Sequence, residues 1–598
     1  MLLQHARRVM LARRARRFAA LAVLASVLAL ALPAAACAGW TLVTQLHRPP
    51  HGFRLTGAQV VRIAMGVPAV GSEVHRHPDA LRYVYTLGPG QWQVAWWAAG
   101  PHSKELAFAD VQDATGAVTE AWTGYQIAWE MARGYPGAFG RVSNALYVWL
   151  PLCALFLAPF IPWRRLLDRR AWSLVHLDLV MLLGFSISLA FFNHADIGLS
   201  VPLVYPFLLY LLARLLALGS GRGRPRRELT PAWPERWLLL GAIVLVAFRV
   251  ALNVIDSNVI DVGYAGVIGA HRLLHGHVLY GPWPSSNANG NTYGPVAYYA
   301  YMPFTAIFGW NGTWNSLPAS HAAAIAFDLL TVAGLYLLGR RLRGPLLGSM
   351  LAYAWAAYPF TLFGLSSNSN DALVALLMVA ALLAVASPVA RGVAVGLAGM
   401  TKFAPLGLAP LFLRGVDGAG ERGVEGSHSS RPPRRSRREA AIFVLSVAVT
   451  IALTMTPVLL EGSFTRFWQE TISYQATRPA PFSIWGLWSG LRIEQHLVQG
   501  FAVALALAVA FRPKRRTLAQ LAALGGAVLI AIQLGVTYWF YLYIVWFLPL
   551  ALVALFAIEP CRPARAKEDG ACADDVEVAV ADVPGAKSHP ARVPAPAR

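Results

Sequence analysis

The sequence predicts a polytopic α-helical membrane protein that carries one small α+β domain near its N-terminus, and three observations predict it. Hydrophobic residues make up 56% of the 598 positions and charged residues only 14%, and a mean hydropathy of +0.48 is too apolar for a soluble chain of this length. Apolar runs close to the twenty or so residues that cross a bilayer recur along the chain. The net charge of +21 sits in short clusters between those runs (ARRARR, RRLLDRR, GRGRPRR, RRLR, RPPRRSRR, RPKRR), which is the signature of cytoplasmic loops and not of a nucleic-acid-binding face.

The remaining composition narrows the class further. Only five of the 51 Lys and Arg residues are Lys, and with the Ala-rich runs this points to a G+C-rich bacterial genome. Cys37, Cys153, Cys561 and Cys572 have neither metal-ligand spacing nor the density of a disulfide framework.

Residues 1–39 hold a basic start and the apolar run 18–36, read as an uncleaved signal anchor and first span, in preference to a cleaved signal peptide or a lipoprotein-like site at Cys37. Residues 40–143 are aqueous in composition. TGAQVVRIAMGVPAV predicts an amphipathic helix, while QWQVAWWA and ELAFADVQDATGAVTEAWTGYQ predict strands joined by an Asp/Gly turn. This extracytoplasmic α+β module resembles a PepSY-like domain.

Residues 144–235 are expected to hold three further spans, at about 144–162, 172–192 and 199–218. Residues 236–557 hold the rest, at about 236–254, 317–339, 345–365, 371–388, 440–460, 496–512, 516–535 and 538–557. That makes about twelve spans. The stretch 391–414 has Arg at both ends and TKFAP at its middle, which predicts a broken, re-entrant helix pair. The Tyr-rich segment 295–310 is expected to lie at the interface, because crossing would leave RRLR on the outer side. Residues 415–439 read as a cytoplasmic basic linker and 558–598 as a disordered cytoplasmic tail. Both termini are then cytoplasmic, and the outer loops are 255–316 and 461–494.

Polar residues gather on that outer face in Arg249–Pro303, in SSNSND (366–371) and in 461–490, and Lys402 approaches from the broken pair. Chemistry outside a cytoplasmic membrane lacks nucleotide sugars, and the chain has no Gly-rich phosphate loop. A sugar carried on a lipid phosphate, the donor that the resemblance described below implies, would be the natural substitute, and its transfer needs a base for the acceptor hydroxyl and cations for the departing phosphate. Asp261 is the first candidate base and Asp256 the second, although either could only cap the helix that follows. Arg249, Lys402 and Arg478 are the candidate phosphate cations. Asn370 and Asp371 could orient the base or the acceptor, and Tyr264, Tyr280, Tyr293 and Trp485 could stack on sugar rings. No metal site and no cofactor are indicated, although a carboxylate pair at 256 and 261 could hold a divalent cation.

Several motifs occur in order: Asp261-Val-Gly-Tyr264, Gly276-His-Val-Leu-Tyr280, Tyr293-Gly-Pro295, Asn370-Asp371-Ala-Leu, Gly396-Leu-Ala-Gly-Met-Thr-Lys402, Arg478-Pro-Ala-Pro-Phe-Ser483-Ile-Trp485-Gly486 and Tyr543-Ile-Val-Trp546-Phe-Leu-Pro549. Over about residues 236–557 this series resembles the GT-C superfamily of polytopic glycosyltransferases, and particularly its bacterial mannosyltransferase-like members; several relatives have His where Tyr543 stands.

The resemblance implies a GT-C-like fold in the bacterial cytoplasmic membrane. It also implies inverting transfer of a hexose, most simply mannose, from a polyprenyl-phosphate sugar to a glycolipid, polysaccharide or protein acceptor on the extracytoplasmic face. Two other readings compete: a transporter or lipid flippase, for which no internal repeat is found, and a non-catalytic relative whose outer module recruits another envelope protein.

Overall fold

The structure is a computed structural model that describes residues 40–558 apart from 88–89, 100–104, 124–126, 128–141, 169–170, 194–195, 223–228, 285–286, 288, 313–316, 417–433, 478–479, 481 and 489. The expected first span, nearly all of the tail and most of the basic linker therefore lie outside the described residues.

The N-terminal unit is a five-stranded antiparallel meander, β1 (Trp40–Leu42), β2 (Leu81–Leu87), β3 (Gln91–Trp97), β4 (Glu105–Gln112) and β5 (Val118–Thr123), paired in chain order. Helices α1 (Gly57–Met65) and α2 (Pro68–Arg76) cover one face. Alternation decides which face: Trp92, Val94 and Trp96 pair with Val111, Ala109 and Ala107, and all six are buried under Val60, Ala64 and Val70. A capping box between Thr56 and Gln59 starts α1. Asp113, in the expected Asp/Gly turn, accepts hydrogen bonds from Trp92 Nε1 at 2.8 Å, Arg54 N at 2.8 Å and Leu55 N at 2.9 Å. One carboxylate thus ties the turn to the segment that leads into α1.

The chain then becomes helical: α3 (Leu146–Leu157), α4 (Leu174–Asn193), α5 (Ile197–Gly219), α6 (Glu235–Asp256), α7 (Asp261–Leu274) and α8 (Pro318–Arg343), then α9 (Pro345–Ala357), α10 (Pro359–Ser366), α11 (Asp371–Leu383) and α12 (Pro388–Thr401), and finally α13 (Arg434–Leu460), α14 (Arg492–Phe511), α15 (Leu518–Gly535) and α16 (Ile544–Ala557). Among the described residues seven helices, α4, α5, α6, α8, α13, α14 and α15, are long and apolar enough to cross a membrane. The expected span at 345–365 is a bent pair, α9 and α10, meeting at 59°; Pro359 follows the bend at Tyr358, as proline's missing N–H favours. Three other expected spans are shorter apolar helices: α3, α11 and the segment Tyr541–Ala557.

Shortness has a location. α16 is wholly buried and α11 mostly so, and a 13- or 14-residue helix is only about 20 Å long against the ~30 Å of a hydrocarbon core. Irregular chain fills the remainder, and such backbone is tolerated at membrane depth where protein surrounds it or it lines a cavity. The re-entrant pair takes the same form. α12 ends at Thr401, Lys402 is extended (φ −141°, ψ 134°), and a 3₁₀ turn (Ala404–Leu408) and a short helix (Ala409–Phe412) follow. Arg391, near the start of α12, donates to Phe412 O at 3.0 Å, so the chain returns to where it entered and Lys402 stands at its apex.

Two ion pairs are buried within the helical body. Arg214 Nε lies 2.9 Å from Asp178 Oδ2, and Arg249 Nη2 lies 2.7 Å from Asp328 Oδ1. Segment 295–310, expected as one interfacial helix, is two short helices, Val296–Tyr299 and Met302–Phe308, packed on α7.

Candidate active site

A cavity of about 1340 Å³ opens where α7, α11, α14, α16 and the apex of the re-entrant pair meet. Its charged lining residues among those described are Asp261, Asp371, Lys402 and Arg492, with His496 beside them. Away from this polar end it continues between α14 and the 404–410 turn, along Leu406, Pro410, Ala502, Val503, Ala506 and Leu507.

Lys402 and Asp371 form the centre. Lys402 Nζ lies 2.5 Å from Asp371 Oδ1, and both side chains are nearly buried, 9% and 1% exposed. Asp371 also accepts Trp546 Nε1 at 2.8 Å and Ser369 Oγ at 2.7 Å. Three rings surround the ammonium: Tyr293 at 5.5 Å, Tyr543 at 5.6 Å and Trp546 at 5.1 Å from ring centre to Nζ, all within cation–π range. The pair explains why a Lys is tolerated inside an apolar body. It also means that the Lys charge is already balanced.

Two glycines allow the loops to reach this centre. A Cβ on Gly294 would stand 2.1 Å from Met400 O, so only glycine lets Tyr293 lie against the end of α12 beside Lys402. A Cβ on Gly263 would stand 2.2 Å from Asn368 O, so the glycine between Asp261 and Tyr264 is what lets the first turn of α7 press on the 366–371 loop. That loop is built as a bracket. Asn368 adopts a left-handed backbone (φ 52°), and its Nδ2 donates to Asn258 O at 2.8 Å and Ser257 Oγ at 2.9 Å. Asn253 Nδ2 donates in turn to Asn368 Oδ1 at 2.8 Å, and Ile260 N to Ser367 O at 3.1 Å.

Asp261 is thereby fixed at the cavity wall as the first residue of α7, with Ile260 and not an Asp at the capping position. Asn287 Nδ2 holds its carbonyl at 2.9 Å. Asp256, the second candidate base, is not a cavity residue: its carboxylate accepts Val142 N at 2.6 Å.

Of the expected cations, Arg249 is fully buried away from the cavity. It donates to Asp328, Trp355 O, Ala356 O and Thr361 Oγ1, so its hydrogen bonds go to the helix bend at Tyr358 and not to a ligand. Arg478 lies outside the described residues.

Among the expected stacking residues, Tyr293 and Trp485 line the cavity, and Trp485 Nε1 donates to Leu534 O at 2.8 Å. Tyr264 and Tyr280 do not line it. Tyr264 is buried in the core beneath α7, and Tyr280 donates to Tyr293 O at 2.7 Å and packs edge-on against Phe467; both support the loops from behind. Asn370 caps α11 with its side-chain amide buried and without a hydrogen-bond partner among the described residues.

Residues 291–567 match the model of glycosyltransferase family 87. The matched family is one of GT-C-like membrane glycosyltransferases, and a glycosyltransferase family implies a sugar donor and an acceptor. It spans Tyr293, Asp371, Lys402, Trp546 and the α14 wall of the cavity, and it begins after Asp261. No curated protein matches the chain at a significant level.

Sequence reasoning missed most of α14. Arg492, Gln495, His496 and Gln499 all line the cavity, and their spacing, continued by Ala502, Val503, Ala506 and Leu507, is the one-face period of a helix. That period was the available signal. Trp546, noted only within the last motif, is the direct indole partner of Asp371.

Proposed function

We propose that the chain transfers a hexose, most simply mannose, from a polyprenyl-phosphate sugar to a cell-envelope acceptor, with inversion, on the extracytoplasmic side of a bacterial cytoplasmic membrane. The observation that carries this reading is the shape of the cavity: one end holds Asp261 and the Asp371–Lys402 pair, and the other is an apolar trough that runs beside α14. A water-soluble nucleotide sugar has no use for such a trough, whereas a lipid-borne sugar needs both ends.

In the proposed reaction the acceptor hydroxyl sits beside Asp261, its oxygen attacks the anomeric carbon, and Asp261 takes the hydroxyl proton while the lipid phosphate leaves with the bonding electrons. Attack opposite the departing phosphate inverts the anomeric centre. Asp371 and Lys402, locked to each other and to Trp546, give the floor of the sugar site a fixed arrangement of charge that need not reorganise during transfer. Tyr293 and Trp485 offer ring faces to the sugar.

The sidedness is supported by the far ends of the same helices. Arg343 donates to Phe556 O and Ile558 O at the end of α16, and Arg516 donates to Val509 O and Leu411 O at the end of α14. Both arginines belong to the clusters that the charge rule places in the cytoplasm, and the polar end of the cavity, with Arg492 and Trp546, lies toward the opposite ends of these helices.

The test is transfer by membranes that contain the chain, supplied with a labelled polyprenyl-phosphate mannose or with a labelled nucleotide sugar. Label is expected in an envelope product from the lipid donor alone. Label crossing the bilayer with no glycosylated product would replace this reading with that of a lipid flippase.

A further inference from the structure

Two of the three cations first expected to hold the donor phosphate are committed elsewhere, and the third, Arg478, lies outside the described residues. Arg249 is paired with Asp328, and Lys402 is balanced by Asp371. Along α14, Gln495 and Gln499 also face the cavity, but both amides donate to Gly535 O, at 3.1 and 2.9 Å, closing the end of α15. That leaves Arg492 and His496, one turn apart on the same face of α14, both exposed and both at the cavity wall. Neither makes a hydrogen bond or ion pair among the described residues. Outside the Lys402–Asp371 pair, Asp261 is the other charged group of the wall among the described residues, so Arg492 is the cation left there for an incoming anion.

The same helix face turns apolar immediately below them. Ala502 and Ala506 are small enough to leave a channel, Val503 and Leu507 extend it, and Leu406 and Pro410 form the opposite wall. From Arg492 to Leu507 the helix rises about 22 Å, so the channel is long enough for an extended hydrocarbon chain hanging from a charged head. Val503 and Leu507 are 61% and 53% exposed, which places this channel at the edge of the helical body, where a lipid enters sideways from the bilayer. A guanidinium next to an imidazole at the mouth of such a channel suits a phosphate, which Arg binds in a bidentate manner.

We propose that Arg492 and His496 form the seat for the phosphate of an isoprenyl-phosphate lipid whose chain lies along the Ala502–Leu507 face of α14. The assignment rests on the reading of the donor as a polyprenyl-phosphate sugar, and it moves the phosphate from Lys402 to α14. Lys402 becomes a residue that positions Asp371.

The test uses the full chain in nanodiscs and measures binding of farnesyl phosphate, with farnesol, inorganic phosphate and dioleoyl phosphatidic acid as comparison ligands. Arg492→Gln should weaken farnesyl phosphate at least tenfold and His496→Gln several-fold, with farnesol affinity unchanged in both. Arg492→Lys should recover part of the loss and Ala506→Trp should weaken farnesyl phosphate and farnesol alike, outcomes that general misfolding does not produce. In transfer, Arg492→Gln should raise KM for the lipid donor at least tenfold and also lower kcat, because the same guanidinium meets the departing phosphate.

Native affinity for farnesyl phosphate in both Arg492→Gln and His496→Gln overturns the seat. If those variants also transfer sugar from the lipid donor normally, the proposed function stands and only this assignment falls. Equal competition by phosphatidic acid would make the channel a general phospholipid contact and overturn the assignment too. A native chain that neither binds farnesyl phosphate nor uses a lipid donor removes both readings together.

Discussion

Lys402 stands at the point where chemistry and stability share one contact. A cation at the centre of a bilayer costs roughly 2.5–3.5 kcal/mol on insertion scales, and here Asp371 and three aromatic rings offset that cost. Removing one member of a buried pair strands the other, so Lys402→Met is expected to destabilise the helical body by about 3–5 kcal/mol. Lys402→Met combined with Asp371→Asn should cost clearly less than the two single changes added together. Thermal unfolding of the three variants in one detergent checks this double-mutant cycle. Gly294→Ala is a second test at this scale. The methyl group cannot fit against Met400 O, so the Tyr293 loop must lift away from Lys402, and transfer should fall at least tenfold while the remaining helices keep their melting temperature within a few degrees.

At the scale of elements, the site exists because several helices stop short. α11, α12 and α16 are 13–14 residues long, and Asp371, Lys402 and Tyr543 stand at or just beyond their ends inside the body. Composition and charge clusters made the long helices legible, since an apolar run and an Arg cluster each have a direct physical meaning in a bilayer. The expected spans at 172–192, 199–218, 236–254 and 516–535 each lie within a few residues of α4, α5, α6 and α15.

The site was legible only in part. Asp261, Tyr293, Asp371, Lys402 and Trp485 reach one cavity, whereas Arg249, Asp256, Tyr264 and Tyr280 do not, because a polar side chain at the end of a span can face a ligand or a neighbouring helix with the same sequence signature. The N-terminal sheet gives this scale its own prediction. Burial, with Asp110 nearby, pushes the Glu105 carboxyl up to about 8 from its ordinary 4.5. An acid that holds its proton more tightly when folded loses folding stability as pH rises between those two values. The protection of β4 amides in the full chain, exchange rates being taken relative to the intrinsic rate at each pH, should therefore fall between about pH 4.5 and pH 8, and Glu105→Gln should flatten that fall.

At the scale of the whole molecule, the proposed function sets the polar end of the cavity at a face of the membrane that has no nucleotide sugar. Topology is the part read from charge alone, through the Arg clusters whose members cap α14 and α16 at the ends away from the polar end of the cavity. A reporter fused at Asn311 should read as extracytoplasmic, and a cytoplasmic signal there would invert the proposed sidedness. The central claim is that Asp261 takes the acceptor's proton at the mouth of this cavity, and the most direct measurement is sugar transfer from a labelled polyprenyl-phosphate mannose by native chain and by Asp261→Asn, both purified into nanodiscs and matched for melting temperature. A single proton-accepting oxygen is lost with almost no change in shape, so the account predicts a fall in kcat of at least a hundredfold with donor binding retained. Native turnover by Asp261→Asn would contradict it.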